Sequence, residues 1–109
     1  MDAALLISFV TTFFAGAFFC NAVPHVGRGL TGQPFPTPFA KPRGVGLSSA
    51  RVNFVWGFAN LVAGWALVAW HPLRLGADTR WLTFALGVLL LGLYTSWRFE
   101  DVMRRKPER

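Results

Sequence analysis

The stretch VNFVWGFANLVAGWALVAW, residues 52–70, contains no Asp, Glu, Lys or Arg. AALLISFVTTFFAGAFFCNAV at 3–23 and WLTFALGVLLLGLYTSW at 81–97 share that property. A helix needs about 20 apolar residues to cross a bilayer, and all three stretches come close to that length. Together they leave too little polar chain to cover them in water. The expected fold is an all-α membrane protein, with three transmembrane helices and a Pro/Gly-rich loop between the first and second.

Composition points the same way. The chain is 53% hydrophobic and only 15% charged, with a mean hydropathy of +0.41. Soluble domains carry about 25% charged residues. Disorder requires low hydrophobicity and high charge, and is excluded. The length allows one small domain.

The expected spans are about 3–23, 49–71 and 79–99, separated by a loop at 24–48 and a short loop at 72–78, with a basic tail at 100–109. Ser48 or Ser49 can cap the second helix. Pro72 should stop it at His71, because the residue before a proline avoids the helical region. Asp78 suits the start of the third helix, where a carboxylate complements the helix dipole. That helix can continue beyond the membrane until Pro107. The start Met1-Asp2-Ala3 lacks the basic region of a signal peptide, and no Ala-x-Ala site precedes Pro24, so the first span is expected to stay. No internal repeat or inverted symmetry is evident.

Three crossings divide the basic residues unevenly. Arg74 and Arg80 fall on one side; Arg28, Lys41, Arg43, Arg51, Arg98, Arg104, Arg105, Lys106 and Arg109 fall on the other. The positive-inside rule puts the larger group in the cytoplasm, which implies a multi-pass protein of the bacterial inner membrane, N-terminus out and C-terminus in. Trp70 and Trp81 would then sit at the outer interface and Trp97 at the inner one.

The segment from Pro24 to Leu47 holds five of the seven prolines and five of the eleven glycines, so regular helix is not expected there. Pro34, Pro36 and Pro38 alternate with Phe35 and Thr37, which favours an extended run. Phe35 and Phe39 need a surface to cover them: the bilayer interface, the helices or a partner. The loop is therefore expected to be ordered.

The run Asn21-Ala22-Val23-Pro24-His25, then Gly29, Gly32, Pro34-Phe35-Pro36-Thr37-Pro38-Phe39-Ala40, Gly44, Gly46, Ser48-Ser49, Asn53 and Trp56-Gly57, resembles a group of small bacterial integral membrane proteins. The resemblance extends from the N-terminus to the neighbourhood of Trp65. It implies a membrane protein whose first loop matters, and it carries no activity with it.

Gly27-Arg28-Gly29-Leu30-Thr31-Gly32 matches G-x-G-x-x-G. That fingerprint binds dinucleotides only where it joins a strand to a helix. Here it follows a membrane helix and leads into prolines, so the context fails. Arg28 among glycine N–H groups could still hold a phosphate or lipid headgroup, as backbone nests do; a tight turn explains the same glycines. His25 and His71 fall at opposite faces of the membrane, Cys20 is alone, and no Cys-x-x-Cys is present, so neither a metal nor another cofactor is expected. His25 could act as a base, but no nucleophile or carboxylate accompanies it in sequence, and capping near the end of the first helix accounts for it.

The spans contain no ionisable residue of the kind that marks an ion or proton path, which argues against a pump, a proton-coupled carrier or a voltage sensor. They do contain small residues at helical spacing: Ala4, Ser8, Thr12, Gly16 and Cys20; Asn53, Gly57, Asn60 and Gly64; Thr83, Gly87, Gly92 and Ser96. Small residues let membrane helices approach closely, and Asn60 should hydrogen-bond across helices. These faces serve either the bundle or an interface with a protein partner or second copy. The tail from Arg98 to Arg109 has five basic and three acidic residues. It suits anionic lipid and topology setting rather than nucleic acid.

The expected function is a structural or interaction component of the membrane, without catalysis of its own and with membrane lipids around it. The alternatives are an oligomeric channel or carrier for a small solute, or a lipid- or anion-binding protein using the loop. The candidate contact residues are Asn21, His25, Arg28, Phe35, Phe39 and Asn60; none is assigned as catalytic or metal-binding.

Overall fold

A computed structural model describes residues 2–73 and 78–105. It is all-helical: α1 (Ala3–Leu30), α2 (Ala50–Trp70) and α3 (Arg80–Arg105). Each is long and apolar enough to cross a bilayer. The molecule measures 51 × 23 × 23 Å.

Local chemistry sets the helix ends. Asp2 accepts from Leu5 N–H at 2.8 Å to start α1. Ser49 caps α2 by accepting from Val52 N–H at 3.2 Å, and His71 follows its last turn. Asp78 Oδ1 accepts from Arg80 N–H at 3.0 Å, and the carboxylate also pairs with the Arg80 side chain. The sequence-based expectations for Ser49, His71 and Asp78 hold. Arg74 and the last four residues lie outside the described residues.

One expectation is corrected. The first helix does not end before Pro24; it runs through the proline to Leu30. Proline removes one N–H, and neighbouring packing offsets such a loss in membrane helices. Here that packing is α2. A side-chain carbon on Gly57 would collide with Val26 and His25, and one on Gly29 with Phe54 and Ala50, so the backbones run in contact along this segment. The stop comes at Gly32, whose φ of 73° suits glycine. Gly32 N–H donates to Gly29 O and Gln33 N–H to Arg28 O, the pattern of a Schellman cap.

α1 is the middle helix. α2 and α3 each lie along it, and their backbones make no close approach to each other. On α2 the buried residues are Asn53, Gly57, Asn60 and Gly64, the small-residue face read from the sequence. On α1 Ser8, Thr12 and Gly16 are buried, while Ala4 is exposed. On α3 the stripe is used at Gly87, and Ser96 remains exposed.

The loop between α1 and α2 is ordered and folds back across one end of the bundle. Phe35 and Ser48 exchange backbone hydrogen bonds at 3.2 and 3.0 Å. The hydroxyls of Thr37 and Ser48 meet at 2.6 Å, and Thr37 O accepts from Ala40 N–H and Gly44 N–H.

Candidate functional site

α2 and α3 flank α1 without their backbones approaching each other, and a cleft of about 430 Å³ opens between them. Its volume falls in the usual range for ligand pockets, about 300–1,000 Å³. Phe14 and Phe18 of α1 and Leu91 of α3 give it an apolar half. Towards the loop it becomes polar, with Asn21, His25, Asn60, Thr95 and Arg98 in its walls. Pro36, Thr37 and Pro38 close that end. Trp56, Tyr94 and Phe99 also line this end, so the polar groups sit among aromatic rings.

The polar side chains are held by cross-helix bonds. Asn21 Nδ2 donates to Asn60 Oδ1 at 3.0 Å, and Asn60 Nδ2 donates to Trp56 O at 2.8 Å. This is the cross-helix bond anticipated for Asn60. His25 is only 2% exposed, and its Nδ1 lies 2.7 Å from Asn53 Oδ1. Asn53, fully buried, donates from Nδ2 to the carbonyls of Phe35, Ser48 and Ser49 at 2.9, 3.2 and 3.0 Å. His25 and Asn53 therefore join α1, α2 and the loop in one knot. His25 is a buried clamp rather than an interfacial cap. His71 lies at the far end of the bundle, 3.0 Å from Thr11 Oγ1.

Arg98 stands at the polar end of the cleft, half-buried on α3 beside Gly44 of the loop. Among the described residues no carboxylate pairs with it; the ion pairs there are Arg80–Asp78 and Arg105–Asp101.

Of the six residues singled out from the sequence, Asn21, His25 and Asn60 come together in this cleft. Phe35 is buried behind it, 5.5 Å from the His25 ring and 4.8 Å from Phe99. Phe39 is 65% exposed and meets Trp56 edge-on outside the cleft. Arg28 is exposed; it donates to Gln33 Oε1 at 2.8 Å and lies over the Phe35 ring. Neither the anion nest that Arg28 could have formed nor a tight turn occupies residues 27–30: they are helical, so their N–H groups face back along α1 instead of converging on a ligand.

Arg98 and Asn53 were not among those six. Asn53 could have been found from its face, two turns from Asn60 on the same stripe. Arg98 could have been found as the first cation after an apolar run, at the depth where His25 ends another. Comparison of the chain with protein-family models, with curated proteins and with solved structures gives no match.

Proposed function

We propose that this chain is a lipid-binding component of a bacterial cytoplasmic membrane, and that the cleft between α2 and α3 holds one amphiphile with its anionic headgroup against Arg98. The observation that carries this reading is Arg98 itself: a half-buried cation without a carboxylate partner among the described residues, set at the polar end of an aromatic cleft. A ligand phosphate would give this cation a charge-assisted, bidentate partner. The apolar half of the cleft suits an acyl chain.

The charge distribution of the sequence supports placing the loop and C-terminal end in the cytoplasm, which sets Arg98 at the level of inner-leaflet headgroups. The small-residue faces of α2 and of the α1–α3 crossing are used inside the bundle, which favours this reading over a partner interface built from them. The loop similar to that of small bacterial membrane proteins then forms the floor under the headgroup.

Native mass spectrometry after extraction in mild detergent tests the proposal. Wild-type protein should retain one phospholipid per chain, and Arg98→Gln should lose it under the same collision energy. Equal retention by both proteins, or no retained lipid in either, overturns the reading.

A further inference from the structure

Two asparagines on α2 determine what α1 offers to the cleft. Asn53 Nδ2 faces three carbonyls, so its Oδ1 must be the atom that meets His25. His25 Nδ1 is therefore the donor, and in the neutral imidazole Nε2 is left as an acceptor. Asn60 repeats the arrangement two turns along: Nδ2 donates to Trp56 O, Oδ1 accepts from Asn21, and Asn21 Oδ1 is left as an acceptor. Among the described residues neither leftover acceptor has a donor, and both residues line the cleft. The side-chain N or O atom that, among the described residues, is both sealed and unpartnered is Ser8 Oγ, elsewhere on α1. Asn21 and His25 lie one turn apart on α1, and both line the cleft with Arg98.

The site thus presents one cation and two hydrogen-bond acceptors. Resting on the lipid-binding reading above, we infer that the headgroup selected here carries hydroxyl donors beside its phosphate, with Asn21 Oδ1 and His25 Nε2 receiving them and Arg98 holding the phosphate. A choline headgroup has no donor to give. An ethanolamine headgroup has donors but brings a second cation next to Arg98. A glycerol phosphodiester supplies one anion and two hydroxyls, the complement of what the cleft presents.

The test compares lipids with identical acyl chains competing for the purified full chain, read by native mass spectrometry. It is done at pH 8, where a histidine of ordinary pKa, about 6.5, is neutral. Phosphatidylglycerol should be retained about three- to tenfold over phosphatidylethanol, which has the same charge and no hydroxyl. Phosphatidylethanolamine should rank below phosphatidylglycerol. His25→Asn keeps an amide donor towards Asn53, while its remaining acceptor, Oδ1 on a shorter side chain, stops short of the Nε2 position; it should bring the first ratio towards one while still retaining both anionic lipids. Equal retention of phosphatidylglycerol and phosphatidylethanol by wild type overturns the inference. So does phosphatidylethanolamine held as well as phosphatidylglycerol, or a ratio unchanged in His25→Asn. The wild-type ratios decide even where the variant fails to fold. Binding of neither anionic lipid, or indifference to Arg98→Gln, overturns instead the lipid-binding reading beneath it.

Discussion

Gly16 of α1 and Gly87 of α3 make a reciprocal contact: a side-chain carbon on Gly16 would overlap the Phe84 carbonyl, and one on Gly87 would overlap the Phe13 carbonyl. Each carbonyl belongs to the residue one turn before the opposite glycine, so the two backbones touch with nothing between them. In lipid, where no hydrophobic drive separates protein from solvent, such contact is a principal source of helix association.

Gly87→Ala should therefore force α3 away from α1 and destabilise the fold by about 1–3 kcal/mol, the usual cost of overpacking. Gly27 provides the contrast, since nothing lies within 4 Å of where its side chain would be. Gly27→Ala should be neutral or stabilise by up to about 1 kcal/mol, because glycine is a poor helix former. Thermal unfolding in one detergent compares them; equal melting temperatures would contradict the packing described.

Asn53→Leu removes the donor shared by the Phe35, Ser48 and Ser49 carbonyls and leaves His25 Nδ1–H unpaired. Groups stranded in this way cost about 1–3 kcal/mol each. The loop should detach before the helices do. Limited trypsin digestion at Arg43 reads this directly: cleavage should be faster in the variant at a temperature where its helicity is intact.

The Asn21–Asn60 bond should appear as coupling in a double-mutant cycle with Asn21→Ala and Asn60→Ala. Bonds of this kind in membranes are worth about 0.6–1.7 kcal/mol. A coupling energy near zero would mean that the two amides do not meet.

Topology has its own measurement. In a Cys20→Ser background, a cysteine at Lys41 should react with an impermeant maleimide only when the cytoplasmic face is opened. One at Asp2 should react from outside in intact cells. The opposite pattern would reverse the orientation proposed here.

Much of this architecture is legible in the sequence because its causes are local. Runs without charge define the spans, Ser49 and Asp78 mark helix starts, and the Asn53-Gly57-Asn60-Gly64 spacing names the buried face of α2. The extension of α1 through Pro24 is not legible, since proline and glycine carry a local penalty and only the contact with α2 outweighs it. The same holds for the site. Asn21, His25 and Asn60 lie near one level on two helices and can be picked from their polarity. Arg98 reaches them from the last helix, far along the chain, and only the separation of α2 from α3 opens the space they share. Phe35 and Phe39 show how far a pattern goes: each follows a proline of the run, yet one is buried and the other faces outward.

The side-chain bonds that tie α1, α2 and their connection together, Asn21 to Asn60, His25 to Asn53, Thr37 to Ser48 and Thr11 to His71, all precede α3 in the chain. The first two helices can thus complete these polar partnerships while α3 is still inside the ribosome. α3 would then join a finished hairpin by backbone contact at Gly16 and by the meeting of Phe99 with Phe35. Assembly in this order gives the growing chain a satisfied resting form before its third crossing exists, and the cleft comes into being only when the last helix arrives.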